Sequence, residues 1–196
     1  MGGRHPFYCK YRAGFTKEGK YTGLDILYVN DGGSTFDCTS SVLDKAIFQS
    51  QTCYTIPNMR VEGRAARTNR VTNTAFRGFG VPQATFFQET IMDHFAQLWF
   101  QRYNDGQFRT FGEAAHHLRM LNLNRPGDLM LTQTLVSTKY AEHLTQTLLQ
   151  TLLKRAGIEQ QFARANEFNA KHKYVKRGVA VTPLKNSVNF EENFLN

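Results

Sequence analysis

No apolar run in this chain approaches the roughly 20 residues that a membrane-spanning helix needs. The first residues, Met1-Gly2-Gly3-Arg4-His5, lack the apolar stretch of a secretory signal. Gly2 does not complete a myristoylation signal, because position 6 is Pro6 rather than Ser or Thr. Cysteine is scarce: Cys9, Cys38 and Cys53 are odd in number and none is spaced as C-x-x-C. That pattern argues against a disulfide framework and for a reducing compartment. It also cannot supply the four thiolates of an iron–sulfur cluster. The hydrolase, zincin and phosphate-loop signatures are all missing, so hydrolytic and nucleoside-triphosphate chemistry have no support. Internal repeats and low-complexity tracts are absent as well.

Apolar and aromatic material is plentiful. The 196 residues are 41% hydrophobic and 13% aromatic, with 16 Phe, enough for a packed core and against disorder. The length suits one domain or parts of two. A net charge of +8 permits nucleic acid, anionic lipid or an acidic cofactor as partner, without choosing among them.

Periodicity then divides the chain. Residues 6–15 alternate, with Phe7, Cys9, Tyr11, Ala13 and Phe15 on one side, which predicts a strand with one buried face. A turn at Thr16 to Lys20 leads to a second strand over residues 21–30 through Leu24, Ile26 and Tyr28, hence a hairpin. Residues 30–34 read as a loop, and Ser40 or Ser41 as the cap of a short helix carrying Val42, Leu43, Ala46, Ile47 and Phe48. A third strand is predicted at 59–66. From Pro82 an amphipathic helix carries Ala84, Phe87, Ile91, Phe95 and Leu98 on its apolar face. Turns fall at 103–112 and at Arg125 to Asp128. Residues 138–156 give a strong helical stripe of Tyr140, Leu144, Leu148 and Leu152, widened by Leu149 and Leu153 and stopped by Gly157. A further helix follows through Ile158, Phe162, Ala165 and Phe168, then a strand at Arg177 to Thr182, and an alternation begun by Val188 and Phe190. The pattern opens and closes without complete elements, so a piece of a longer chain is expected.

One stretch stands apart: Asn73-Thr74-Ala75-Phe76-Arg77-Gly78-Phe79-Gly80-Val81-Pro82-Gln83. Its glycines allow close backbone approach, and it runs into a helix N-terminus, a place that favours anions. It resembles the substrate-pocket loop of the molybdenum hydroxylases, the xanthine dehydrogenase and aldehyde oxidase family. Three other segments resemble that family in the same order: Gly2-Gly3-Arg4-His5-Pro6-Phe7, Cys53-Tyr54-Thr55-Ile56-Pro57-Asn58, and Lys176-Arg177-Gly178. Between about residue 98 and residue 170 the resemblance is mainly one of helical character.

The resemblance implies an α+β fold of mixed strands and packed amphipathic helices, incomplete at both ends. Residues 1–108 would be the C-terminal part of a first molybdopterin-binding subdomain, and 109–196 the N-terminal part of a second. Phe79 would stack on a flat heteroaromatic substrate, where π-stacking orients a ring while tolerating edge substituents. Arg77 and Gly78 would lie at the molybdenum-molybdopterin cofactor, with the Arg77 backbone amide beside the metal's oxygen ligands as a preorganised donor. Lys45 stands where xanthine dehydrogenases carry arginine and aldehyde oxidases an uncharged residue. Lysine keeps the charge and loses the bidentate fork. Val81 replaces the glycine the family favours and stiffens the loop. The general-base glutamate has no match here, and the 2Fe-2S and FAD groups of the parent enzyme would bind elsewhere, so the fragment alone is expected to be inactive. The expected partners are the remainder of the enzyme, a small heteroaromatic substrate and, in the family, a second copy in a homodimer; the expected place is the cytoplasm, with the peroxisome as alternative.

The bland readings are specific too. Phenylalanine packs in cores more often than it binds ligands, Arg77 suits a surface, and Lys45 suits a solvated helix face. His116 and His117 are adjacent and point about 100° apart on a helix, a poor chelate. The run Lys171 to Arg177 reads as a solvated helix end rather than a nucleic-acid patch. Three rival functions stand beside the purine hydroxylase: an aldehyde oxidase-type fragment, a basic binding module without catalysis, and a truncated relic.

Overall fold

A computed structural model of the chain describes residues 2–125, 128 and 145–185. Eight elements follow in order: β1 (Phe7–Phe15), β2 (Tyr21–Gly33), α1 (Thr39–Phe48), β3 (Met59–Arg67), α2 (Val81–Tyr103), α3 (Phe111–Asn122), α4 (Thr145–Ala156) and α5 (Ile158–Lys171). The sheet has the order β1-β2-β3. β1 and β2 form the antiparallel hairpin, with Cys9 opposite Tyr28 and Tyr11 opposite Ile26. β2 and β3 run parallel, joined by a crossover through α1, with Ile26 opposite Val61.

One face of the sheet carries the core. Leu24, Ile26 and Tyr28 are buried on it, and α1 adds Val42, Leu43 and Ala46. α2 lies across the hairpin, where Phe95 stacks on Phe15 with ring centroids 3.5 Å apart and Phe87 meets Tyr28 at 5.8 Å. α3, which begins just past residue 108, adds Ala114, Ala115 and Leu118 to the same cluster. Its last residue, Asn122, accepts a hydrogen bond from the Tyr21 amide at 2.9 Å and donates to the Gly19 carbonyl at 2.8 Å, which holds the hairpin turn. Arg119 clamps α3 to α2, with Nε 2.7 Å from Glu89 and Nη2 2.7 Å from Asp93. The Tyr54 hydroxyl donates to the same Glu89 carboxylate at 2.6 Å.

Several expectations need correction. β2 continues through residues 30–33, because the parallel partner β3 extends the ladder past the hairpin. α1 starts at Thr39 after Cys38, without a side-chain cap from Ser40 or Ser41. On α2, Leu98 is 51% exposed, while Gln88, Met92, Ala96 and Trp99 are buried. The helix is held on two sides, by the hairpin and by α3, so its inward face is wider than and displaced from a single stripe. α3 itself was not singled out by apolar spacing. The expected stripe on α4 is turned outward: Leu148 and Leu152 are 64% and 60% exposed, and Leu149 packs towards the core. Tyr140, Leu144, Val188 and Phe190 lie outside the described residues. Residues 177–182 form no strand. At its first residue a side chain takes the backbone: Asn169 donates to the Arg177 carbonyl at 2.8 Å and accepts from its amide at 2.7 Å. The Arg177 guanidinium lies 3.9 Å over Phe168.

Candidate cofactor and substrate site

The loop 73–80 is held on both flanks by distant segments. The Thr74 amide donates to the Gly3 carbonyl at 3.1 Å, and the Asn73 amide to the Gly32 carbonyl at 3.1 Å. The Thr74 hydroxyl donates to Asp37 at 3.1 Å. Two tight turns follow. Phe79 N–H donates to the Phe76 carbonyl at 2.9 Å, with Gly78 at φ 95° in the third position, the mark of a type II turn. Val81 N–H then donates to the Gly78 carbonyl at 2.9 Å, with Phe79 at φ 48° and Gly80 at φ 95°, the positive pair of a type I′ turn. A bulky residue rarely takes positive φ, and Phe79 does so in the second position of this turn.

Gly80 brings the loop onto α1. A Cβ there would lie 2.3 Å from the Val42 carbonyl oxygen and 2.8 Å from the Ala46 nitrogen, on the helix backbone itself. Ala46 follows Lys45 and Gly80 follows Phe79, so the contact joins the backbones of the two segments that carry the expected substrate residues. Gly80 also stands at the N-terminus of α2, which has no side-chain cap. Val81 opens that helix and Pro82 takes its second position, one residue later than expected.

Arg77 and Gly78 are exposed. Among the described residues no intramolecular acceptor is found for either amide. Arg4 reaches the loop from the other side: its Nη2 donates to the Arg77 carbonyl at 2.7 Å and its guanidinium lies 4.6 Å over the Phe76 ring. Arg4 Nη1, His5 Nδ1 and Gln83 Oε1 are buried without a partner among the described residues. His5 and Gln83 are linked, since Gln83 Nε2 donates to the His5 carbonyl at 3.1 Å, and His5 Nε2 contacts the Thr39 hydroxyl at 3.0 Å. Burial lowers the His5 pKa, partly opposed by the charges of Asp37 and Asp31.

The Arg77 and Gly78 amides without an intramolecular acceptor and the unpaired Arg4 Nη1 donor suit a group rich in acceptors, so these residues fit an anionic cofactor. The unpaired Gln83 Oε1 would take a donor from it. A metal held directly by side chains is another matter. Among the described residues no three His, Cys, Asp or Glu side chains converge. Burial pushes the Cys9 and Cys38 thiols up to about 11 and Cys53 to about 12, which keeps them protonated. His116 and His117 face different rings, Phe162 at 5.8 Å and Phe108 at 5.0 Å. No described helix is long and apolar enough to cross a membrane.

Sequence patterning missed Arg4, His5, Asp37 and Thr39 as parts of this site. Gly2-Gly3-Arg4-His5 carries only a family resemblance in the sequence, and nothing local shows that it lies beside residues 72–77.

These features define a cofactor-binding module built on a mixed sheet. The family model of the molybdopterin cofactor-binding domain matches residues 1–99, and the chain belongs to that family. The whole chain is 35% identical to the xanthine dehydrogenase of Emericella nidulans and 33% identical to that of Dictyostelium discoideum. It spans 13% of the length of each of these curated relatives. Among solved structures, the aldehyde oxidoreductase of Desulfovibrio gigas superposes with a TM-score of 0.68 at 25% identity, over 85% of this chain and 16% of that one. The chain thus corresponds to the molybdopterin-binding region of xanthine dehydrogenase-like enzymes, which are oxidoreductases.

Proposed function

We propose that this chain forms one wall of the active site of a molybdenum hydroxylase that oxidises a purine, within a longer enzyme of xanthine dehydrogenase type. The observation that carries the reading is the double turn at Arg77 to Gly80, pressed against the α1 backbone at Val42 and Ala46, with the exposed Arg77 and Gly78 amides left without an intramolecular acceptor among the described residues.

The residues then have distinct tasks. Arg77 and Gly78 hold the molybdenum-molybdopterin through backbone N–H groups, which donate to oxygen acceptors without reorganising. When bound, the cofactor supplies the two-electron oxidation that no side chain here can perform. Phe79 stacks on the heteroaromatic ring and orients it. Lys45 places a positive charge near the purine edge and stabilises negative charge developing on its oxygen. The 2Fe-2S and FAD groups, the general base and the homodimer contact belong to the rest of the enzyme. The division at 108/109 into the end of one subdomain and the start of the next is a division of the parent fold. Cytoplasmic placement, with the peroxisome as alternative, belongs to the same proposal.

Replacing Lys45 by Met in the enzyme that carries this chain tests the substrate. Purine turnover is expected to fall on the order of a hundredfold, with aldehyde turnover retained. Unchanged purine turnover would favour the aldehyde oxidase-type reading instead, for which the likeness to an aldehyde oxidoreductase is the supporting observation.

A further inference from the structure

Type I and type II turns differ by a flip of their central peptide, and the two forms send its N–H in opposite directions. In the turn Phe76 to Phe79 the central peptide joins Arg77 to Gly78. Its carbonyl is held by Arg4 Nη2 at 2.7 Å. A trans peptide points its N–H opposite to its C=O, and none of the described peptides is cis. Fixing the Arg77 carbonyl on Arg4 therefore turns the Gly78 N–H away from Arg4, and no acceptor for it is found among the described residues.

Arg4 is suited to this task. Its backbone neighbour is zipped to the loop by the bond from the Thr74 amide to the Gly3 carbonyl. Its guanidinium sits 4.6 Å over Phe76, which limits its movement. A Cβ on Gly78 would come within 3.8 Å of Arg4 Nη1, so the two residues adjoin. The preceding peptide is fixed independently, because the Phe76 carbonyl accepts from the Phe79 amide. Both amides are thus aimed by internal bonds, the one at Arg77 by the turn and the one at Gly78 by Arg4.

We propose that Arg4 is a positioning residue that selects the flipped state of the Arg77–Gly78 peptide and so presents the Gly78 amide to the bound cofactor. This rests on the reading that the loop faces the cofactor, and the experiment separates the two.

The protein to use is the polypeptide that carries this chain in its source. Its molybdenum content is measured first, and wild-type protein without molybdenum overturns the functional reading itself. In metal-loaded protein, amide hydrogen exchange is resolved to single residues in wild type, Arg4→Met and Arg4→Lys. The expected result for Arg4→Met is exchange at Gly78 about tenfold faster, with Val81 unchanged because the second turn holds it. In parallel kcat falls roughly tenfold with an unchanged KM. Arg4→Lys keeps the charge over Phe76 and one donor, loses the fork, and is expected to lie between. Should Arg4→Met fail to accumulate, Arg4→Lys carries the same test. Unchanged exchange at Gly78, equal acceleration at Gly78 and Val81, or faster Gly78 exchange with unchanged kcat would each overturn the role of Arg4.

Discussion

Gly80 shows how little room the pocket loop has. Its φ of 95° is strained for any L side chain, and an added Cβ would meet the backbone of α1 at 2.3 Å. A helix backbone cannot yield as a flexible side chain can. Gly80→Ala is therefore expected to destabilise the protein by roughly 2–4 kcal/mol, read as a lower urea midpoint at unchanged slope. A midpoint within error of wild type would mean that the loop can leave α1 freely. The glycine loop is legible in the sequence, because glycines around an aromatic permit a tight, closely approaching turn and the proline after them marks a helix start. Arg4 is not, since its partners Phe76 and Arg77 are more than 70 positions away and its own neighbourhood carries no periodic signal.

Periodicity reports an element closely where one face meets one neighbour. β1 and β3 came out at nearly their observed bounds, because alternation reports a half-buried strand directly. It reports elements with two neighbours, or none, less closely. α2 is pinned between hairpin and α3, and the 177–182 segment has the backbone of its first residue, Arg177, taken by Asn169. The pairing of α3 to α2 through buried Arg119 and partly buried Glu89, at 10% and 12% side-chain exposure, has no local signature at all. The same packing sets a pH response. His5, beside α1, and His116 and His117, on α3, all have pKa values lowered by burial. The unfolded chain binds protons at these sites at a higher pH than the folded one does. Stability from them is present above the ordinary histidine value and is lost as the pH falls through it. The melting midpoint is expected to fall between about pH 7.5 and about pH 5.5, with a shallower fall in His5→Gln. A flat profile over that interval would show that these histidines charge without cost in the folded state.

At the scale of the whole molecule the decisive number is length, since the chain spans 13% of its xanthine dehydrogenase relatives. Peptide-specific detection of Asn73 to Gln83 on a denaturing gel of source-cell protein is expected to show a band several times larger than 22.4 kDa. A band at 22.4 kDa would turn the reading towards a basic binding module or a relic. In that case the isolated polypeptide is expected to retain no molybdenum and leave hypoxanthine unoxidised, on the proposal that the general base and most of the cofactor's cradle belong to the rest of the enzyme. The sequence alone determined the hairpin, the third strand, the glycine loop and the family, each encoded in residues a few positions apart. Only the tertiary structure decided which helix faces turn inward, that Gly80 lies on the backbone of α1 at Val42 and Ala46, and that Arg4 holds the Arg77 carbonyl. Those outcomes depend on close approach between distant segments, and a linear pattern carries no record of which distant backbone a residue will meet.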